Sequence, residues 1–190
     1  DVLFDRLALP SESGLLTYRL PADIRALAAP TQPISDDIRR GRILVGEVHD
    51  NYAAALGGAA GHAGLFGTVS AVGEFARLLL RASRLKGHAL SAPAMVNPFS
   101  PELVAAFTAK GAVSGSSRAL GWDTMLPTSS CGTRMSADAF GHVGFTGTSL
   151  WIDPKRDRYF VLLTNRVCGG GTLNDIRTVR RSFHDALGDV

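Results

Sequence analysis

Residues 140–167 read FGHVGFTGTSLWIDPKRDRYFVLLTNRV, and this stretch decides the fold. Over 140–147, β-forming residues alternate with glycines. TSLWI at 148–152 reads as a strand. Asp153-Pro154-Lys155-Arg156-Asp157 reads as a tight turn, with proline where type I and II turns favour it. YFVLLT at 159–164 is a continuous apolar run, as expected of a strand covered on both faces. Connections this short join strands antiparallel. Downstream, 173–187 has helical periodicity. Thr172 and Asp175 form a capping-box-like pair at its start. Ile176, Val179, Phe183 and Leu187 fall on one stripe, which would cover the sheet. Arg177, Arg180 and Arg181 read as a solvated face of the same helix.

Working outward, the first forty residues are irregular and punctuated by Pro10, Pro21, Pro30 and Pro33. A helix is predicted from Ser70, an N-cap candidate, with Glu74 near the positive end of its dipole. Val72, Phe75, Ala76 and Leu79 give it one buried face, and Lys86-Gly87 ends it. The organisation is therefore a mainly helical and loop region over 1–135, then a strand meander and terminal helix over 136–190. That is an α+β arrangement within one domain of 190 residues.

Composition removes several classes of function. A net charge of +3 is too small to imply nucleic acid. Residues 52–73 carry no formal charge over a length that could cross a bilayer. Their six glycines and many alanines read instead as a packed turn-and-helix region, so no membrane span is expected. The opening DVLFDRLALP carries charges where a signal peptide is apolar. Cys131 and Cys168 lie outside any CxxC and are open to either one disulfide or two thiols.

A nucleophile is hard to find. The hydrolase elbow G-x-S-x-G is absent; Gly147-Thr148-Ser149-Leu150-Trp151 has tryptophan where the sharp turn needs glycine. S-x-x-K occurs once, as Ser83-Arg84-Leu85-Lys86, at the charged end of an amphipathic helix, where it reads as coincidence. The histidines, His49, His62, His88, His142 and His184, show no metal-helix spacing. His49-Asp50 and His62 could meet in space, but no metal is expected. Gly169-Gly170-Gly171-Thr172 leads into a helix N-terminus, a natural anion site without the lysine of a P-loop. His142-Val143-Gly144 on a strand has a clearer chemical use. Glycine admits a close backbone approach. An outward histidine can donate a hydrogen bond or carry charge. The N–H of Phe145 is then free for an oxyanion.

Two blocks resemble the serine β-lactamase-like family related to penicillin-binding proteins, which includes class C β-lactamases, D-Ala-D-Ala carboxypeptidases and esterases. One is GEVHDNYAAALGGAAGHAGLFGTVSAVGEFARLL at 46–79, and the other is the 140–167 stretch. The resemblance implies a β-lactamase/DD-peptidase-like fold, of which this chain is the C-terminal portion. In that family S-x-x-K, Y-x-N (or S-x-N) and K-T-G (or H-x-G) meet in one cleft. His142-Val143-Gly144 matches the third, and the first two would lie on a preceding segment. The three strands would match the family's last three, leaving a sheet edge for that segment to cover.

The resemblance implies a serine hydrolase acting by acyl transfer on a small ester or amide. His142 would orient substrate or assist proton transfer, Gly144 would give clearance, and the Phe145 N–H would bind the oxyanion. Val143, Thr146 and His62 would line the substrate site. Val143 replaces a threonine whose hydroxyl holds a carboxylate, which favours esters or uncharged amides. The chain alone would be inactive, no cofactor is implied, and a periplasmic or extracellular setting fits the family. Two other readings stay open: a non-catalytic module that binds peptidoglycan or a partner, and an anion- or nucleotide-binding module using residues 169–172.

Overall fold

The computed structural model describes residues 14–84 and 98–188. Its centre is a four-stranded antiparallel sheet, ordered β3 (Asp123–Thr124), β4 (Phe140–Val143), β5 (Ser149–Asp153) and β6 (Arg158–Leu162). Phe140 pairs with Ile152 and Val143 with Ser149; Ser149 pairs in turn with Leu162 and Asp153 with Arg158. The predicted meander is present, so the fold is α+β as expected. Its first strand is shorter than 140–147, because residues 144–147 turn back towards β5. The third stops at Leu162 rather than 164. The sequence reading missed β3, a two-residue strand that pairs Asp123 with Gly141.

The Asp153–Asp157 turn forms around a fully buried carboxylate. Asp153 accepts the Ser136 N–H at 2.8 Å, the Ser136 hydroxyl, and the Arg156 guanidinium at 3.1 Å. Asp157, at φ 57°, takes the left-handed conformation that aspartate tolerates.

Successive residues of β5 face opposite sides of the sheet. Ile152 and Phe140 join Ala76, Leu79, Leu80, Ala82 and Val104 in one core. Trp151 joins Cys131, Met135 and Ala139 in the other. The first core receives α2 (Val69–Arg84) and α3 (Pro101–Thr108). Upstream of α2 lie the antiparallel pair β1 (Leu16–Thr17) and β2 (Phe66–Gly67) and, between them in the chain, the short helix α1 (Asn51–Ala55). The N-cap of α2 is Thr68, whose hydroxyl accepts the Ala71 N–H at 3.2 Å, not Ser70, which is already helical. The predicted stop at Lys86-Gly87 lies outside the described residues.

The terminal helix α4 (Leu173–Gly188) begins at the expected cap, where Thr172 and Asp175 exchange hydrogen bonds of 2.7–3.2 Å. Its buried face is Ile176, Arg180 and His184, not the all-apolar stripe; Val179 and Leu187 are exposed. Arg180 therefore does not belong to a solvated face. It reaches under the sheet to the carbonyl oxygens of Gly144 and Thr148. Arg181 bonds the carbonyls of Pro127 and Ser129.

Two further expectations need correction. β6 is half-buried rather than covered on both faces, because no strand pairs with its outer edge among the described residues. Residues 52–73 are not uniformly packed: Ala53, Ala71 and Gly73 are buried while Tyr52, Leu56 and Leu65 are exposed. No described helix is long and apolar enough to cross a membrane. Both cysteines are free thiols, and burial pushes the Cys131 thiol up to about 12.

Candidate active site

β4 divides into a packing half and an open half. Phe140 and Gly141 are buried, His142 is exposed and Val143 is half-buried. Gly141 is dictated by its neighbour: a Cβ there would collide with Leu150 O and the Trp151 indole. After Val143 the chain makes a β-turn, closed by the Gly147 N–H on Gly144 O at 3.1 Å. Gly147, at φ 127°, lies in the region that favours glycine, and a Cβ would press on Thr164 and Arg166. At Gly144 a Cβ would strike the Thr148 hydroxyl. The glycine thus lets the turn close.

This turn has an unusual hydrogen-bond balance. Each carbonyl from Gly144 to Thr148 is taken. Gly144 O accepts from Gly147 N and Arg180, Phe145 O from Arg166, and Thr146 O from the Arg166 N–H. Gly147 O accepts from the Thr164 hydroxyl, and Thr148 O from Gly144 N and Arg180. The N–H groups of Phe145 and Thr146 have no acceptor among the described residues.

His142 is oriented at both ring nitrogens. Nδ1 lies 3.0 Å from its neighbour's carbonyl, Val143 O, and Nε2 lies 3.4 Å from Arg118 Nη1. A guanidinium only donates and a carbonyl only accepts, so the geometry assigns the proton to Nδ1 and a lone pair to Nε2. Arg118 is itself held by Asp123 at 3.2 Å, and Asp123 accepts from the Ser117 hydroxyl at 3.1 Å.

The Phe145 ring is exposed and held on its flanks. His49 stacks on it at 5.4 Å between centroids, and the Arg166 guanidinium carbon sits 4.3 Å from its centre. His49 Nε2 lies 2.9 Å from Gln32 O. His62 and Asp50 do meet, at 3.1 Å. Asp50 also caps α1 through the Ala53 N–H at 2.7 Å. That backbone bond first, and His62 second among the favourable contacts, hold its carboxyl below the usual range. His62 thus reaches the Phe145 turn indirectly, through the Asp50-His49 segment. The described residues contain no group of three His, Cys, Asp or Glu side chains able to hold a metal.

His142, Val143, Gly144, Phe145 and Thr146 are brought together because they are consecutive. His49, Arg118, Arg166 and Arg180 join them from distant positions, and no local pattern marks these four. Of the S-x-x-K pair, Ser83 donates to Leu80 O at 2.8 Å, and Lys86 lies outside the described residues. In the glycine run, Asp175 binds the Thr172 N–H and hydroxyl and fills the position an anion would take.

Residues 21–183 match the family described as Beta-lactamase, and the chain belongs to that family. A putative D-alanyl-D-alanine carboxypeptidase of Escherichia coli O157:H7 is 38% identical over 127 residues, covering 64% of this chain and 27% of that protein. One from Escherichia coli K12 is 37% identical over 129 residues, covering 65% and 27%. One from Salmonella agona is 32% identical over 133 residues, covering 67% and 28%. A crystal structure of a beta-lactamase from Mycobacterium bovis aligns with a TM-score of 0.47 at 27% identity, covering 66% of this chain and 44% of that one. The chain spans about a quarter of the length of these curated relatives.

Proposed function

We propose that these 190 residues are the C-terminal portion of a β-lactamase-like domain in a serine hydrolase. It acts by acyl transfer on a small ester or amide. The observation that carries the reading is the Phe145 N–H, which has no acceptor among the described residues and sits one turn position beyond a His-x-Gly strand. An amide donor fixed in advance at that place serves an oxyanion and not the ground-state fold. His142 orients substrate, and its Nε2 lone pair can take a proton once Arg118 swings aside. Val143, Thr146 and, more distantly, His62 line the approach. The similarity to proteins named putative D-alanyl-D-alanine carboxypeptidases supports the reaction class.

The nucleophilic serine and its lysine come, in this proposal, from a segment outside the chain. The open edge of β6 supports that. Tyr159 and Val161 line, with Gly73 and Arg77 of α2, a cavity of about 370 Å³. Unpaired strand edges are normally covered or blunted, and a strand of the missing segment would pair here. The relatives' bacterial sources fit a setting outside the cytoplasm. The test joins this chain to the upstream reading frame that encodes a Ser-x-x-Lys. Turnover of p-nitrophenyl acetate or a D-alanyl-D-alanine peptide, abolished by Ser→Ala, is expected. No turnover and no covalent labelling by a serine probe would refute the proposal.

A further inference from the structure

Two guanidiniums act on adjacent peptides of the site turn. Arg180 Nη2 donates to Gly144 O at 2.6 Å and to Thr148 O at 2.8 Å from beneath. Arg166 Nε and Nη2 both donate to Phe145 O, at 3.0 and 2.9 Å, from the side, and its Nη1 anchors on Gly171 O at 3.2 Å. A peptide group is planar and trans, so its C=O and N–H point in opposite directions. Fixing Gly144 O therefore aims the Phe145 N–H, and fixing Phe145 O aims the Thr146 N–H. Neither of these N–H groups has an acceptor among the described residues.

The arginines are also uncompensated. Among the described residues neither has a carboxylate within ion-pair distance. Arg180 is 5% exposed, its Nε has no partner among the described residues, and burial lowers its pKa. A buried cation without a counter-ion costs stability, and a purely structural peg could have been neutral. A charge-assisted bond to a carbonyl withdraws electron density and makes the N–H of the same peptide a stronger donor.

We infer that Arg166 and Arg180 are positioning residues that orient and polarise the Phe145 and Thr146 amides, so that the Phe145 N–H is held ready for a developing oxyanion. This rests on the acyl-transfer reading, but its structural half can be measured without turnover.

The first measurement is 15N relaxation on the 190-residue chain. Order parameters at residues 145 and 146 are expected near about 0.85 in the wild type and towards about 0.6 in Arg166→Gln, with β5 unchanged. Arg166 is half-exposed, so this variant keeps the fold where Arg180→Met could lose it. The second measurement is made in the longer protein that carries Ser-x-x-Lys. There Arg166→Gln is expected to lower kcat by on the order of tenfold with KM unchanged, and Arg166→Lys to recover part of it. Unchanged order parameters in Arg166→Gln would overturn the clamp whether or not the longer protein turns over. Loosened amides with unaltered kcat would overturn the catalytic role. A longer protein without turnover would remove the acyl-transfer reading, and with it the oxyanion role; the clamp would still be decided by relaxation.

Discussion

Lowering the pH should destabilise this protein through one side chain, His184, before its carboxylates respond. The ring is fully buried between β5 and α4. Ser149 Oγ lies 3.1 Å from Nε2, and the Phe183 and Phe160 rings stand edge-on at 5.0 and 6.0 Å. Nδ1 has no partner. Protonation would bury a second N–H without an acceptor, beside the Arg180 guanidinium one turn away. Burial, with Arg180 adding to it and Asp185 opposing it, pushes the pKa down from 6.5 to about 4. The unfolded chain therefore binds a proton below about 6.5 that the folded chain refuses until about 4. The contribution is complete above the unfolded value and is lost as the pH falls through this window. At about 1.4 kcal/mol per pH unit, the whole interval is worth about 3 kcal/mol, of which about 2 is lost between about pH 7 and 4.5. The assay is urea unfolding of the wild type and His184→Gln at several pH values. The amide of Gln can still bond Ser149 but does not titrate. The difference between the two curves should shrink by about 2 kcal/mol as the pH falls to about 4.5. Parallel curves would refute the reasoning. Asp37, held at about 2 by its side-chain bonds to Arg39, and Asp153, held low by the Ser136 hydroxyl and N–H, belong to a lower window. Their contributions are present above the ordinary carboxylate value and fade as the pH falls below about 4.

The remaining predictions concern the site. In the longer, active protein, His142→Ala should lower kcat/KM by on the order of tenfold to thousandfold with the fold retained, because His142 is exposed on its strand. The control is Arg177→Ala on the exposed side of α4, not His184→Ala, which would open a cavity. Equal losses in both, measured by steady-state kinetics, would make His142 structural. Val143→Thr should raise D-alanyl peptide turnover relative to ester turnover, by at most about tenfold for one added hydrogen bond; an unchanged ratio removes the substrate preference. The 190-residue chain itself should resist labelling by a fluorophosphonate or a fluorescent penicillin, read by mass spectrometry. Stoichiometric modification of Ser83 would overturn that.

The strands and terminal helix were legible because their signals are local. A turn with proline, an apolar run and a capping pair each act over a few residues. The inner face of α4 was not legible. Arg180 and His184 lie on the same helical face as Ile176, but as polar residues they read as solvated; they are buried because each meets a polar partner on the sheet, the Gly144 and Thr148 carbonyls and the Ser149 hydroxyl. Tertiary hydrogen bonds at that range leave no periodic trace. β3 escaped for another reason: two residues carry no alternation, and its pairing is fixed by Gly141 opposite. At the site, the His142–Phe145 run was visible in sequence. Its supports Arg118 and Arg166 were not, because they arrive from 24 and 21 residues away.

Trp151 gives the strand a spectroscopic voice. Its indole lies in a packed core, 1% exposed, against the bare backbone of Gly141, with the indole N–H unpaired among the described residues. An indole in such surroundings emits at short wavelength, and Gly141 is covalently joined to His142. Any event that lifts β4 from β5, whether a ligand prising the turn or thermal loosening of the sheet, would admit water to that ring. The emission would then move to the red before the helices melt. The protein thus carries a native optical gauge one residue from its proposed chemistry. Trp122, only half-buried against Phe140, gives a weaker second signal from the opposite face.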